Sequence, residues 1–164
     1  MINIKSIFSG NWRSKHRDFQ ISFNGKVWIV IAEYDEIDDM LVSLFDRTDG
    51  SSIIINLEQL GDVELSADDV ESFLFKDLFN KDNELKVTDK GAATLFGKEF
   101  NYIQYVFHNK KFGPQRLFDF YRHYNGEAYL LRCGSPIDME PQGDSMLPGK
   151  LDVLLNSINA NVFA

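Results

Sequence analysis

The sequence predicts an α+β fold: an antiparallel β-sheet of about six to seven strands with helices packed on it as an α/β/α sandwich. Three observations carry that expectation. Short β-rich runs are joined by turn dipeptides, an amphipathic helical pattern interrupts them mid-chain, and a second one closes the chain. No repeat of 20–50 residues is present. At 164 residues the chain reads as one domain spanning 1–164, long enough to bury a core without staples.

Each element follows from its residues. Phe19–Phe23 and Lys26–Ile31 flank Asn24-Gly25, so a hairpin with a type I′ turn is expected, placing Phe19, Ile21, Phe23, Trp28 and Val30 on one face. Met40–Phe45 and Ser52–Leu57 flank Asp46–Gly50 and read as a second hairpin. Ile37, Met40, Leu41 and Leu44 also fit a helical period, so residues 35–45 are open to either reading. Ser66 caps a helix over 67–80, with Asp68 and Asp69 in its first turn and Val70, Phe73, Leu74 and Leu78 along one side. Leu85–Thr88 is a short strand. A turn near Gly97-Lys98 leads into strands at Phe100–His108, Gln115–Tyr124 and Glu127–Cys133. Residues 134–149 hold three of the four prolines and form a loop before a helix marked by Leu151, Leu154, Leu155 and Ile158.

Composition limits the functional classes. The formal charge of −8 and pI near 4.8 work against broad binding to nucleic acid or anionic membranes. One cysteine, Cys133, rules out an internal disulfide and reads as a buried structural thiol after the apolar strand. No apolar run reaches the length of a signal peptide or a membrane span, which points to a cytoplasmic setting. No zinc, P-loop, dinucleotide or nucleophile-elbow motif occurs, and His16, His108 and His123 lack partners at ligand spacing. No catalytic residue, metal or cofactor is expected. The run "EYDEIDD" lacks the glycine of a calcium loop and reads as a solvated acidic loop. Residues 58–84 carry nine acids against Lys76 and Lys81, a negative face that a basic partner could meet.

The sharpest candidate is "YVFHNKKFGPQRLFDFYRHYNG", residues 105–126. It gathers seven aromatic rings, two histidines, two lysines and two arginines. A two-residue turn at Asn125-Gly126 sets Tyr124 opposite Glu127, Arg122 opposite Tyr129, Phe120 opposite Leu131 and Phe118 opposite Cys133. Asp119 then faces Arg132 as a cross-strand ion pair, and Arg122 can lie on the ring of Tyr129. The basic residues Lys110, Lys111, Arg116 and Arg122 do not converge, which counts against a nucleic-acid groove.

The segments "LFGKEFNYIQYVF", "FYRHYNGEAYLLRCGSP" and "LDVLLNSI" together resemble the fold shared by PsbP subunits of photosystem II and a Ran-binding nuclear import factor. Bacterial domains of unknown function share it too, among them chaperones for toxins of the type VI secretion system. The resemblance covers mainly residues 83–160. At "SFNGKVW" the Pro that often follows the family's first strand is missing. The resemblance implies a helix–sheet–helix sandwich that works by binding, and it carries over no catalytic residue. The leading expectation is therefore a non-enzymatic protein-binding module of the chaperone, adaptor or toxin-immunity kind. Its candidate contacts are Tyr105, Lys110, Lys111, Arg116, Tyr121, His123 and Tyr129, and for each tyrosine packing under a helix is the plainer role. The alternative is a small-ligand receptor or enzyme with a pocket near His123, Tyr121 and Arg116.

Overall fold

A computed structural model describes residues 9–59, 66–78, 85–124, 126–141 and 143–158. Strands β1 (Ser9–Arg13) and β2 (Gln20–Asn24) form a two-stranded antiparallel ribbon. Seven further strands form one sheet: β3 (Ile29–Asp35), β4 (Met40–Phe45), β5 (Ser52–Gln59), β6 (Leu85–Leu95), β7 (Lys98–Asn109), β8 (Gly113–Tyr124) and β9 (Glu127–Pro136). Their order is β3-β4-β5-β9-β8-β7-β6, antiparallel throughout. After β5 the chain leaves the middle of the sheet, passes through helix α1 (Ala67–Leu78) and resumes at the far edge. It then meanders back until β9 pairs with β5. Helix α2 (Gly149–Asn156) follows.

The strand alternation sorts side chains onto two faces. The first carries Met40, Val42, Leu44, Ile53, Ile55, Leu57, Phe118, Phe120, Tyr129, Leu131 and Cys133. These join Trp12, Phe19, Ile21 and Trp28 from the amino-terminal part, and Leu151, Leu154 and Leu155 from α2, in one buried cluster. The second face holds a smaller cluster of Ile103, Tyr105, Leu117 and Tyr121 with Val70 of α1. The antiparallel sheet matches the expectation. The helical cover is smaller than a full sandwich, because a β-ribbon supplies much of the layer over the first face.

Local signals explain most elements. The second hairpin forms as read, Met40 opposite Leu57 and Leu44 opposite Ile53, so residues 40–45 are strand. Its turn needs Gly50, at φ +80°, where an added Cβ would strike the ring of Phe112 at 2.6 Å. Ser66 and Asp69 form a reciprocal cap at the start of α1, each backbone N–H donating to the other's side chain at 3.1 Å. The expected helical end at residues 79–80 and the side chains of Phe73, Leu74 and Leu78 lie outside the described residues. Phe96 and Gly97, at φ 56° and 71°, make the two-residue turn between β6 and β7. β6 is much longer than the expected Leu85–Thr88, and Thr88 sits at an irregularity in its register.

One expected hairpin is absent. The first Asn-Gly does not join β2 to β3: β2 pairs with β1, Trp12 opposite Ile21, and β3 pairs with β4. Gly25 is outside the left-handed region. Instead the Asn24 carbonyl accepts hydrogen bonds from the backbone N–H groups of Val27 (3.0 Å) and Trp28 (2.9 Å). Burial overrides the local turn preference. The turn carries the chain from the ribbon into the sheet, so that Phe19, Ile21 and Trp28 enter the first-face core, whereas Val30 stays 38% exposed. Far along the chain, Lys150 at the start of α2 ties the layers together. Its ammonium donates to Asp46 and Asp49 at 2.5 and 2.9 Å and lies 4.9 Å from the ring centre of Trp28.

Candidate functional site

The expected aromatic–basic site is mostly interior. The β8–β9 register is as read from Asn125-Gly126: Tyr124 opposite Glu127, Arg122 opposite Tyr129, Phe118 opposite Cys133. Asn125 itself lies outside the described residues. Tyr105 and Tyr121 belong to the second-face cluster and Tyr129 to the first, and all three are buried. Asp119 and Arg132 make a bidentate pair, Nε to Oδ1 at 2.8 Å and Nη2 to Oδ2 at 2.9 Å. The Tyr105 hydroxyl donates to Asp119 at 3.2 Å. Both charges are enclosed, so this is a buried pair and not the partly solvated one that strand register alone suggests. Burial pushes the Asp119 carboxyl up against the opposing pull of Arg132, and it pushes the Tyr105 hydroxyl up strongly. The shift moves the Tyr105 hydroxyl further from proton exchange near neutrality. Burial likewise raises the Cys133 thiol, which is free and enclosed.

The remaining candidates are dispersed. Arg122 does not rest on Tyr129: its guanidinium stands 5.2 Å from the ring centre of Tyr124 and donates to the Glu99 carbonyl. The Tyr129 ring is packed into the core and its hydroxyl donates to Glu127, which leaves the exposed Tyr124 ring for the arginine. Lys110 and Lys111 stand in the β7–β8 turn, with the Lys111 ammonium 5.3 Å from the ring centre of Phe112. Arg116 sits across from Ser135 on the first face, whereas Tyr121 and His123 are on the second. The structure therefore does not bring Arg116, Tyr121 and His123 into one pocket.

A different region stands out. Val30 (38% exposed), Ile31 (56%), Tyr34 (51%) and Ile37 (74%) are four of the six large hydrophobic residues exposed among the described residues, and they fall within eight positions. The first three lie in β3, which among the described residues is an edge strand paired with β4 alone. A register shift sets Ile31 between Val30 opposite Leu44 and Ala32 opposite Ser43. Tyr34 then lies opposite the half-buried Leu41 on the second face, in a row that continues to Asn56, and Ala32 begins the adjacent row of Ser43 and half-buried Ile54.

The support beneath this edge is polar and well ordered. Glu33 accepts a hydrogen bond from Trp12 Nε1 at 2.6 Å, and Asp35 accepts from Ser14 Oγ at 2.8 Å and the Lys15 N–H at 2.7 Å. Burial favours a protonated Asp35, but these hydrogen bonds and the nearby His16 and Arg17 outweigh it and hold the carboxyl below its ordinary value. The β3–β4 turn closes through the Glu36 N–H to the Asp39 carbonyl at 2.9 Å. Arg17 clamps it by donating to the carbonyls of Glu36 (2.9 Å) and Ile37 (2.8 Å). Thus "EYDEIDD" is not simply a solvated loop: its first half is strand, and two of its acids anchor the ribbon. Ile37 projects from a fixed turn.

The opposite edge contrasts with it. β6 exposes Lys86, Thr88, Asp89 and Lys90, with Lys90 paired to Glu71 of α1 and Asp89 accepting from the Tyr102 hydroxyl at 2.8 Å. A cleft of about 330 Å³ lies near its end, lined by residues including Ala93, Leu95, Phe120, Met146, Asp144 and Asp152. Among the described residues no cluster of three potential metal ligands occurs. No helix among them is long and apolar enough to cross a membrane.

Sequence reasoning missed the β3 edge because "IVIA" is apolar at every position, the mark of a strand buried on both sides. The contrary signal was the abrupt change to "EYDEIDD". An apolar strand running straight into an acidic turn fits a sheet margin better than its centre.

These elements define a class of fold: a seven-stranded antiparallel sheet with a β-ribbon and carboxy-terminal helix over one face and a helix beside the other. No family model and no curated protein matches the chain. Among solved structures it is similar to cyanobacterial PsbP (CyanoP) from Synechocystis sp. PCC 6803, with a TM-score of 0.62, 11% identity, and 97% of this chain and 96% of that one covered. The fold is thus PsbP-like across nearly the whole chain, a wider match than residues 83–160.

Proposed function

We propose that the protein is a non-enzymatic protein-binding module, of the chaperone, adaptor or toxin-immunity kind, and that its partner docks on the β3 edge. The observation that carries this reading is the exposure of Val30, Ile31, Tyr34 and Ile37 along one edge strand and its hydrogen-bonded turn. Burying an aliphatic side chain of this size is worth about 1.5–3 kcal/mol, so three such groups left in water hold back several kcal/mol that an interface recovers. Fixed turn geometry lowers the ordering cost of binding. Tyrosine and apolar residues ringed by charge have the composition of an interface centre and rim. The proposed setting is the cytoplasm, with neither nucleic acid nor membrane as partner.

Affinity capture from the native host tests the reading, with the native chain beside an Ile31→Lys, Tyr34→Lys double variant. A host protein retained by the native chain and lost by the variant supports it. No enrichment over control, or equal retention by both chains, overturns it.

A second reading, a small-ligand receptor, rests on the cleft beside Phe120 and Asp152. Filling it by Ala93→Trp abolishes ligand binding on that reading and leaves it intact if the β3 edge is the site.

A further inference from the structure

Resting on that reading of the β3 edge, we infer that the partner contributes an extended segment that pairs antiparallel with β3 as an eighth strand, apolar at alternate positions and basic at its amino-terminal end. Three features of the edge select this chemistry.

The first is the backbone. Among the described residues β3 pairs on its β4 side only, and the N–H and C=O groups of its outer side are those a strand from another chain would meet. The irregularity around Ile31 divides the edge. From Ala32 to Asp35 the register with β4 is continuous, and this half can template pairing. Ile31, at the bulge, stands out as an anchor rather than a ladder position.

The second is the pattern of side chains. Ala32 and Tyr34 lie on the second face, opposite Ser43 and half-buried Leu41, with half-buried Ile54 and Asn56 beyond them. A strand laid beside β3 with apolar residues at alternate positions extends that surface outward and covers it. The other alternate positions fall on the side of Glu33 and Asp35, whose carboxylates already accept from Trp12, Ser14 and Lys15 of the ribbon, so polar residues suit them.

The third is charge. Glu36 and Asp38 are exposed in the turn at the carboxy-terminal end of β3. An antiparallel partner enters at that end, so its amino-terminal residues meet the acids and should be basic. A second copy of this chain fits less well, since it brings a formal charge of −8 toward the exposed Glu36 and Asp38, while Arg17 is engaged with the Glu36 and Ile37 carbonyls. β6 offers no comparable site: its outer residues include Lys86 and Lys90, and Lys90 is already paired with Glu71.

The test uses blocked peptides and the full chain. The probe has two lysines followed by alternating valine and lysine over six residues. One comparator replaces every lysine by glutamate, and another carries proline at its central valines so that it cannot form a ladder. By fluorescence anisotropy at low salt, the lysine peptide should bind about tenfold or more tighter than the glutamate peptide and weaken as salt rises. The proline peptide should lose binding. Backbone amide shifts should centre on Ala32–Asp35, and Ile31→Thr with Tyr34→Thr should weaken the complex.

Equal binding of lysine and glutamate peptides, binding of the proline form, or shifts centred elsewhere overturns the inference. So does sedimentation showing that the chain pairs with itself through β3. The capture experiment separates the two levels. If the host partner depends on Ile31 and Tyr34 but the lysine peptide fails, the docking surface stands and the strand-addition chemistry falls. If the host partner ignores those residues, the reading beneath it falls as well.

Discussion

The central hairpin β8–β9 and the edge strand β3 draw on similar residues for opposite ends. In the hairpin, tyrosines, phenylalanines and charged groups are enclosed: Asp119 and Arg132 pair with each other and with Tyr105 of the neighbouring β7, and Phe118 stacks on Phe120 with ring centres 5.6 Å apart. At β3, apolar side chains face outward while the polar groups are spent holding the strand in place, Glu33 and Asp35 on the ribbon and Arg17 on the turn. A dense aromatic–basic stretch is therefore scaffold, and a plain aliphatic one is surface. What decides is position in the sheet, because a central strand has neighbours on both sides and an edge has one.

The contrast can be broken most severely at the centre. Asp119→Ala leaves Arg132 enclosed without its carboxylate and should cost about 3–5 kcal/mol in urea unfolding. A loss under 1 kcal/mol would mean that the hairpin interior is wetter than its geometry indicates. Next in size is Gly50→Ala, where a positive φ and the Phe112 ring both resist a Cβ; about 1–3 kcal/mol is expected from the same measurement.

Lys150→Ala removes the tie between α2 and the β4–β5 turn, for about 1–2 kcal/mol at neutral pH. This effect has a defined pH dependence. Burial tends to raise the Asp46 carboxyl, but hydrogen bonds from Lys150 and Thr48 prevail and hold it below its ordinary 3.8. A depressed carboxyl stabilises the fold fully above its unfolded value and loses that contribution as pH falls through the folded one. The gap between native and variant stability should therefore be constant from neutrality to about pH 5 and shrink below pH 4.

The smallest effects are expected at the edge. Ile31→Thr and Tyr34→Thr should each change stability by no more than about 0.5 kcal/mol, since neither side chain is enclosed. Thiol labelling sharpens the same contrast. Cys133 is enclosed and its thiol is raised by burial, so alkylation should await unfolding, whereas an Ile31→Cys variant should label rapidly in the folded state.

Much of this architecture was legible in the sequence, and the failures are instructive. Asn125-Gly126 gave the β8–β9 register, and with it the Asp119–Arg132 pair, because both flanking strands alternate cleanly. The identical dipeptide at Asn24-Gly25 misled, since its flanking strands find better burial with β1 and β4 than with each other. Ser66 and Asp69 marked a helix start through a local cap. The Lys150–Asp46 tie links residues 104 positions apart and leaves no local trace. The candidate site was the least legible part. Composition shows where apolar residues cluster, but exposure at β3 depends on the sheet order, which is set by the long return of β9 to β5.

The most direct test of the account is hydrogen exchange on the full chain with and without the host protein it captures. Slowed exchange confined to β3 and its turn, with β8–β9 already slow and unchanged, is the expected result. Protection centred on the β7–β8 turn at Lys110 and Lys111, or on the cleft beside Phe120, with β3 unaltered, would contradict it.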